Sequence, residues 1–209
     1  MELLDRTSEL RALEDALARA HVGHGSTVLV CGEAGIGKSA LLEAFLAAAD
    51  DIRVLRGACD DLLTPRPLGP FREMLQDSDE VSGEALEPTG RERLLTTLLD
   101  TMGSRLRPAV LVVDDAQWLD DASLDVIRFL SRRITRLPAV LVIAFREEHA
   151  EDRVRLGRAI GSAGANVVRL QLGPLSETAV ARLLAGTELD AAELYALSNG
   201  NPFLVTQLM

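Results

Sequence analysis

Thr27-Val28-Leu29-Val30-Cys31-Gly32-Glu33-Ala34-Gly35-Ile36-Gly37-Lys38-Ser39 is the stretch that decides the fold. It opens with a strand-length apolar run, as a strand covered on both faces requires. Gly32 to Ser39 then satisfies G-x-x-x-x-G-K-[ST] at every defined position. Behind it, Ser39 to Ala49 carries Leu42, Phe45, Leu46 and Ala49 at helical spacing. Strand, glycine-rich turn and helix are the setting in which this motif works. The glycines let successive backbone N–H groups point inward, and the helix turns its positive end towards the same anion. Such a loop takes phosphates. Lys38 is expected at the β- and γ-phosphates of a nucleotide, and the Ser39 hydroxyl in a magnesium shell. The expected phosphate-side set is Gly32, Glu33, Ala34, Gly35, Ile36, Gly37, Lys38, Ser39 and Ala40. Lys38 is also the only lysine of the chain, every other cation being arginine. A compact ammonium on a flexible stem is not interchangeable with a guanidinium fork, so the exception has a chemical reason.

Working outward, strand-length apolar runs recur between helical segments, the alternation of a βαβ-type parallel sheet. Val54 and Leu55 centre a short second run. Ala109 to Val113 and Ala139 to Phe145, each introduced by a proline and apolar throughout, predict central neighbouring strands. Val167 to Leu172 alternates more and predicts an edge or late strand. Ser123 to Ile134 sets Ile127, Leu130 and Ile134 on one helical stripe. Residues 60–93 hold Pro65, Pro67, Pro70 and Pro88, which predicts a short helix over Phe71 to Leu75 flanked by loops in the most mobile part of the chain. After Pro174 the pattern turns helical, with short helices over Ser176 to Ala185 and Ala191 to Leu197. The fold class is therefore α/β: a P-loop NTPase with a five-stranded, mostly parallel sheet flanked by helices, over 1–173, and a small helical appendage over 174–209.

The other ends of the strands carry chemistry. Asp114 and Asp115 close the third strand. A carboxylate there suits a hard cation, so Asp114 is the expected magnesium partner of Ser39. Asp115 points elsewhere and is the candidate general base for an attacking water. Arg146 follows the fourth strand at the same sheet edge, where open α/β sheets bind ligands, and is a candidate γ-phosphate sensor. Arg132, Arg133 and Arg136 cluster at a helix end, either as a trans-acting arginine finger or simply as cations favoured by the helix dipole. Trp118 could touch the nucleotide site, but a lone tryptophan near a strand end more often packs a helix on the sheet, and that is the expectation. Cys31 is expected to be buried, and His21, His24 and His149 to lie at the surface without metal-ligand spacing.

Composition excludes several classes. The chain has 209 residues, a formal charge of −10 and 47% hydrophobic residues. That balance argues against a phosphate-backbone binder and for an ordinary globular domain. Two cysteines cannot build a secreted disulfide framework. No signal peptide and no apolar run of spanning length occurs, so a cytoplasmic protein without membrane contact is expected.

The P-loop together with Val112-Val113-Asp114-Asp115-Ala116-Gln117-Trp118-Leu119-Asp120 and Gly200-Asn201-Pro202-Phe203 resembles the STAND class of AAA-related ATPases, in particular the ATPase module of large LuxR-type bacterial transcriptional regulators. The resemblance runs from Arg6 to Phe203. It implies an ATP/ADP switch with Mg2+, in which Pro202 packs on the adenine with Asn201 and Phe203 beside it. It also implies a nucleotide-side role for Arg6 in Asp5-Arg6-Thr7-Ser8-Glu9-Leu10, where Asp5 stands in place of the family's glycine. Locally, Gly200-Asn201-Pro202 equally suits a helix stop followed by a helix start. Proteins of this class continue into further modules, so the chain is expected to be a piece of a longer regulator. Its partners would be those modules or a second copy, with DNA binding left to the absent part.

Three activities fit these residues. The first is a slow ATPase switch, slow because an absent arginine finger or neighbouring module removes transition-state charge stabilisation worth about 10³–10⁵ in rate. The second is an ADP-locked scaffold without turnover. The third is a small-molecule kinase, for which the only lid candidate, residues 60–93 with Arg66, Arg72, Arg91 and Arg93, shows no recognisable pattern.

Overall fold

A computed structural model describes residues 3–62, 66–76, 91–104, 106–147, 154, 156–158, 160 and 166–209. Five strands form one sheet: β1 (Ser26–Cys31), β2 (Arg53–Ala58), β3 (Ala109–Asp114), β4 (Ala139–Phe145) and β5 (Val167–Gln171). Their order is β2-β3-β4-β1-β5 and every pairing is parallel. The continuous apolar runs of β1, β3 and β4 take the three central positions, and every residue in them is buried. β3 and β4 are neighbours, as expected of the two strongest runs. β2 and β5 are the edges, and their mixed composition reflects one face less covered.

Alternation along the strands builds two cores. Val28, Val30, Val110, Val112, Val140 and Val142 point to one face, where α1 (Thr7–His21) and α2 (Lys38–Ala48) cover them. Leu29, Leu55, Leu111, Val113, Leu141 and Ile143 point to the other. There they meet α3 (Gly69–Gln76), α4 (Arg91–Gly103) and α5 (Asp121–Ser131). At roughly 25 cal/mol per Å² of apolar surface removed from water, these two layers supply the dominant stabilisation. Gly57 of β2 is fixed by packing, since a Cβ there would collide with the Pro70 carbonyl at the start of α3.

A third apolar cluster, separate from the sheet, joins α6 (Glu177–Leu183), α7 (Ala191–Ser198) and α8 (Pro202–Leu208) through Val180, Leu184, Leu194 and Val205. Leu4 from the start of the chain packs into it. Among the described residues no helix is long and apolar enough to cross a membrane. The expected helix over Phe71 to Leu75 lies within α3. Residues 63–65, 77–90 and His149 fall outside the described residues, and with them much of the 60–93 stretch on which the expectation of mobility rests.

Candidate nucleotide-binding site

β4 separates β1 from β3. The loop after β1 and the acids at the end of β3 therefore face each other across the end of β4, on strands about two spacings or ~10 Å apart. Arg146, the first residue past β4, emerges between them.

The loop from Gly32 to Gly37 closes on α2, with Gly37 as its N-cap in the left-handed region at φ 98°. Lys38 is buried, and its Nζ donates to the carbonyls of Gly32 at 2.9 Å and Glu33 at 2.8 Å. The ammonium is thereby held over the mouth of its own loop, at the positive end of α2.

Across the gap, one Asp114 carboxylate oxygen lies 3.5 Å from Ser39 Oγ and 3.3 Å from Arg56 Nη2. The other accepts the Asp115 N–H at 3.0 Å. One carboxylate and one hydroxyl are a hard-oxygen donor pair of the kind Mg2+ uses while keeping most of its waters. Among the described residues no group of three His, Cys, Asp or Glu side chains is placed to hold a metal ion, so a fully protein-ligated metal is not what this donor set fits.

Asp115 adopts the left-handed conformation at φ 49°, ψ 41°, which swings its carboxylate off the strand line. Gln117 Nε2 donates to that carboxylate at 2.8 Å, while its own Oε1 accepts the Arg146 N–H at 3.0 Å. Arg146 Nε stands 3.6 Å from the same carboxylate oxygen. Asp115, Gln117 and Arg146 are thus one cluster, built from the ends of β3 and β4.

On the far side of the loop, Asn201 Nδ2 donates to the Ala34 carbonyl at 2.9 Å and the Phe203 N–H donates to the Gly35 carbonyl at 3.2 Å. Gly35, at φ 72°, has no room for a side chain, because a Cβ would approach that of Phe203 to 2.6 Å. Pro202, Arg6, Ile36, Gly37 and Ala40 line a small apolar cleft beside the loop. Arg6 is buried, and its guanidinium donates to the carbonyls of Ile36 at 3.1 Å and Gly173 at 2.6 Å. Burial pulls its pKa below the ordinary arginine value. Asp5 has φ 53°, the region glycine enters freely and aspartate tolerates. The resemblance has a glycine at this position. The Asp5 carboxylate accepts the Ser176 N–H at 2.7 Å and is held below the usual carboxylate range by that bond and by the Ser176 hydroxyl.

A family model for the AAA ATPase domain matches residues 2–143. The chain belongs to the AAA ATPase domain family. An uncharacterized protein of Rhizobium meliloti (strain 1021) is 29% identical over 224 aligned positions, covering 83% of this chain and 20% of that protein. Among solved structures, the ORC1 protein of Aeropyrum pernix in complex with DNA superposes with a TM-score of 0.63 at 22% identity, over 99% of this chain and 59% of that one. The ORC2 protein of the same organism (ADPNP-ADP complexes) gives 0.69 at 15% identity, over 98% and 60%. Cdc6p of Pyrobaculum aerophilum gives 0.66 at 19% identity, over 88% and 49%. These likenesses show the fold. The AAA ATPase domain described here spans a fifth of its curated relative and about half to three fifths of the solved chains.

Three contacts of this AAA ATPase domain lie outside the sequence reading. Gln117 was readable only as part of Asp-Ala-Gln-Trp, with nothing in the spacing to say that it bridges two strands. Arg56 sits in a weak strand and gave no signal. The grip of Asn201 on Ala34 spans 167 positions, and no local pattern encodes it. Trp118 corrects an expectation. It is 37% exposed rather than packed between helix and sheet, because the 3-10 turn Ala116–Trp118 that follows Asp115 turns the indole outward. There it borders a cleft of about 500 Å³ lined also by Cys59, Arg66, Pro70 and Arg72. His21 and His24 are exposed.

Proposed function

We propose that the chain is an ATP-binding, slowly hydrolysing switch module of a signalling or transcriptional regulator, with a nucleotide-binding core over 1–173 and a lid over 174–209. The observation that carries this reading is the direct bonding of the Asn201–Phe203 segment to the Ala34 and Gly35 carbonyls. A phosphate loop gripped by a separate helical cluster cannot rearrange around a ligand without that cluster registering it.

In this reading Gly32 to Ala40 wraps the phosphates, Lys38 leaves its loop carbonyls for the β- and γ-oxygens, and Pro202 with Arg6 forms the base side. Ser39 and Asp114 would hold Mg2+, which supplies charge neutralisation at the phosphates when bound. Asp115 takes a proton from water as that water's oxygen attacks the γ-phosphorus, and the bond from γ-phosphorus to the bridging oxygen breaks to release ADP. Gln117 keeps the carboxylate aimed, and Arg146 senses the γ-phosphate. Partners are further modules of the same regulator or a second copy. Nucleic acid is not bound directly by this chain, a reading supported by the net charge of −10. A labelled DNA duplex titrated at low salt should therefore show no anisotropy rise.

The test is nucleotide content and turnover. Bound ligand is extracted and identified by chromatography, and phosphate release is followed with ATP and Mg2+ for wild type and Lys38→Ala. Slow release that disappears in the variant is the expected result. Retained ADP with no release from wild type would replace this reading with a locked scaffold, and absence of any nucleotide binding would overturn both.

A further inference from the structure

β2 alternates in burial, with Leu55 and Gly57 turned into the core and Val54, Arg56 and Ala58 turned out. Pairing sets Arg56 opposite Val112 and Ala58 opposite Asp114. Arg56 and Asp114 are therefore diagonal neighbours on the same face, a spacing long side chains span. The contact is made: Arg56 Nη2 lies 3.3 Å from Asp114 Oδ2. It involves the same oxygen that faces Ser39 Oγ at 3.5 Å. The carboxylate side chain is only 13% exposed, whereas the arginine is 42% exposed. A largely desolvated anion is thus matched by a cation that can move away into solvent.

We propose that Arg56 is the resident counter-charge of Asp114, which a divalent cation must displace or repel, so that Arg56 sets the metal affinity of the site. This rests on the reading of Ser39 and Asp114 as the metal-holding pair. Two cations compete for one oxygen, and wherever the guanidinium settles after losing that contact, its charge opposes the incoming ion. Before the metal arrives, the same pairing masks a carboxylate that would otherwise repel a polyphosphate. Arg56 is a positioning residue in this scheme, acting through Asp114.

The probe is Mn2+ titrated into the ADP-loaded protein and followed by the loss of its free-ion EPR signal, a readout independent of hydrolysis. Removing the charge with Arg56→Gln or Arg56→Met is expected to tighten Mn2+ binding by about two- to tenfold, the worth of a partly exposed ion pair. Arg56→Lys, which keeps the charge, is expected to stay near wild type. In an Asp114→Asn background, Arg56→Gln is expected to change nothing. Unchanged or weakened Mn2+ binding in both neutral variants, with unfolding midpoints like wild type, overturns the proposal. If Asp114→Asn alone binds Mn2+ as wild type does, the metal-site reading itself fails, and that outcome is distinct from the first.

Discussion

Asp115 is the residue on which turnover is expected to hinge, and its geometry is set by two neighbours of unequal character. Gln117 holds it with a 2.8 Å hydrogen bond, while Arg146 stands at 3.6 Å with its side chain 41% exposed. The neutral partner therefore does more of the aiming, and the charged one is freer to follow a ligand. Asp115→Asn removes the proton acceptor and is expected to lower the rate of phosphate release by about 10²–10⁴. Gln117→Ala removes one hydrogen bond, of about 1 kcal/mol, and is expected to lower it by about three- to tenfold with nucleotide affinity unchanged. The check is kcat from phosphate release beside ADP affinity by fluorescence titration. Equal losses in affinity and rate would make Gln117 a structural support of the whole edge instead.

Helix α8 shows how one element can serve two purposes through one side chain. Asn201 Oδ1 accepts the N–H groups of Phe203 at 3.1 Å and Leu204 at 3.4 Å, which caps the helix, while Nδ2 grips the Ala34 carbonyl at 2.9 Å. Asn201→Asp keeps the cap and loses the donor; Asn201→Ala loses both, with a cap worth about 1 kcal/mol. Amide hydrogen exchange separates the two effects. Faster exchange is expected across residues 32–37 in both variants, and within α8 in the alanine variant alone. Loop exchange that stays at the wild-type rate in Asn201→Asp would detach the appendage from the phosphate loop. The same element marks where sequence reading stopped. Asn201 and Pro202 announced a helix start, which any helix of that composition would do, whereas the contact with Ala34 depends on the tertiary placement of two distant segments. The strands were legible because β1, β3 and β4 are buried on every residue, so their apolar runs are unbroken. β2 was faint because Val54, Arg56 and Ala58 face outward. The helix α1 carried a readable stripe in Leu13, Ala16, Leu17 and Ala20, and α4 carried one in Leu94, Leu98 and Met102. Neither is flanked by the glycine-rich motif that drew attention to α2. The P-loop, the acidic pair and Arg146 were legible as residue types at strand ends, and the bonds among them were not.

For the molecule as a whole, the two cysteines are expected to make stability fall at high pH. Both thiols are buried in the wall of one core, Cys31 at the end of β1 and Cys59 just past β2. Burial, with Glu147 nearby, raises Cys31 from 9.0 to about 11. Burial, with Asp120, Asp115, Asp60 and Asp114 around it, raises Cys59 from 9.0 to about 12. The folded state therefore holds these protons more tightly than the unfolded chain does. Their contribution is fully present below 9.0 and is lost as pH climbs towards about 11 and about 12. Asp5 works in the opposite sense, since its carboxyl is held below 3.8 by Ser176; its contribution is present above 3.8 and lost as pH falls through the lower folded value. Being on the surface, it moves stability less than the buried thiols. Thermal midpoints recorded in steps from neutral pH upward are expected to drop beyond 9 in wild type, and to drop less steeply in the Cys31→Ala, Cys59→Ala double variant, whose folded state has no thiol proton to lose. The variant starts lower because each substitution leaves a small cavity, so the slope is the informative quantity and the starting value is not. Parallel curves would mean that the thiols ionise as freely in the fold as in the open chain. Their burial at the two strand ends beside the acidic edge would then have no electrostatic consequence for the sheet.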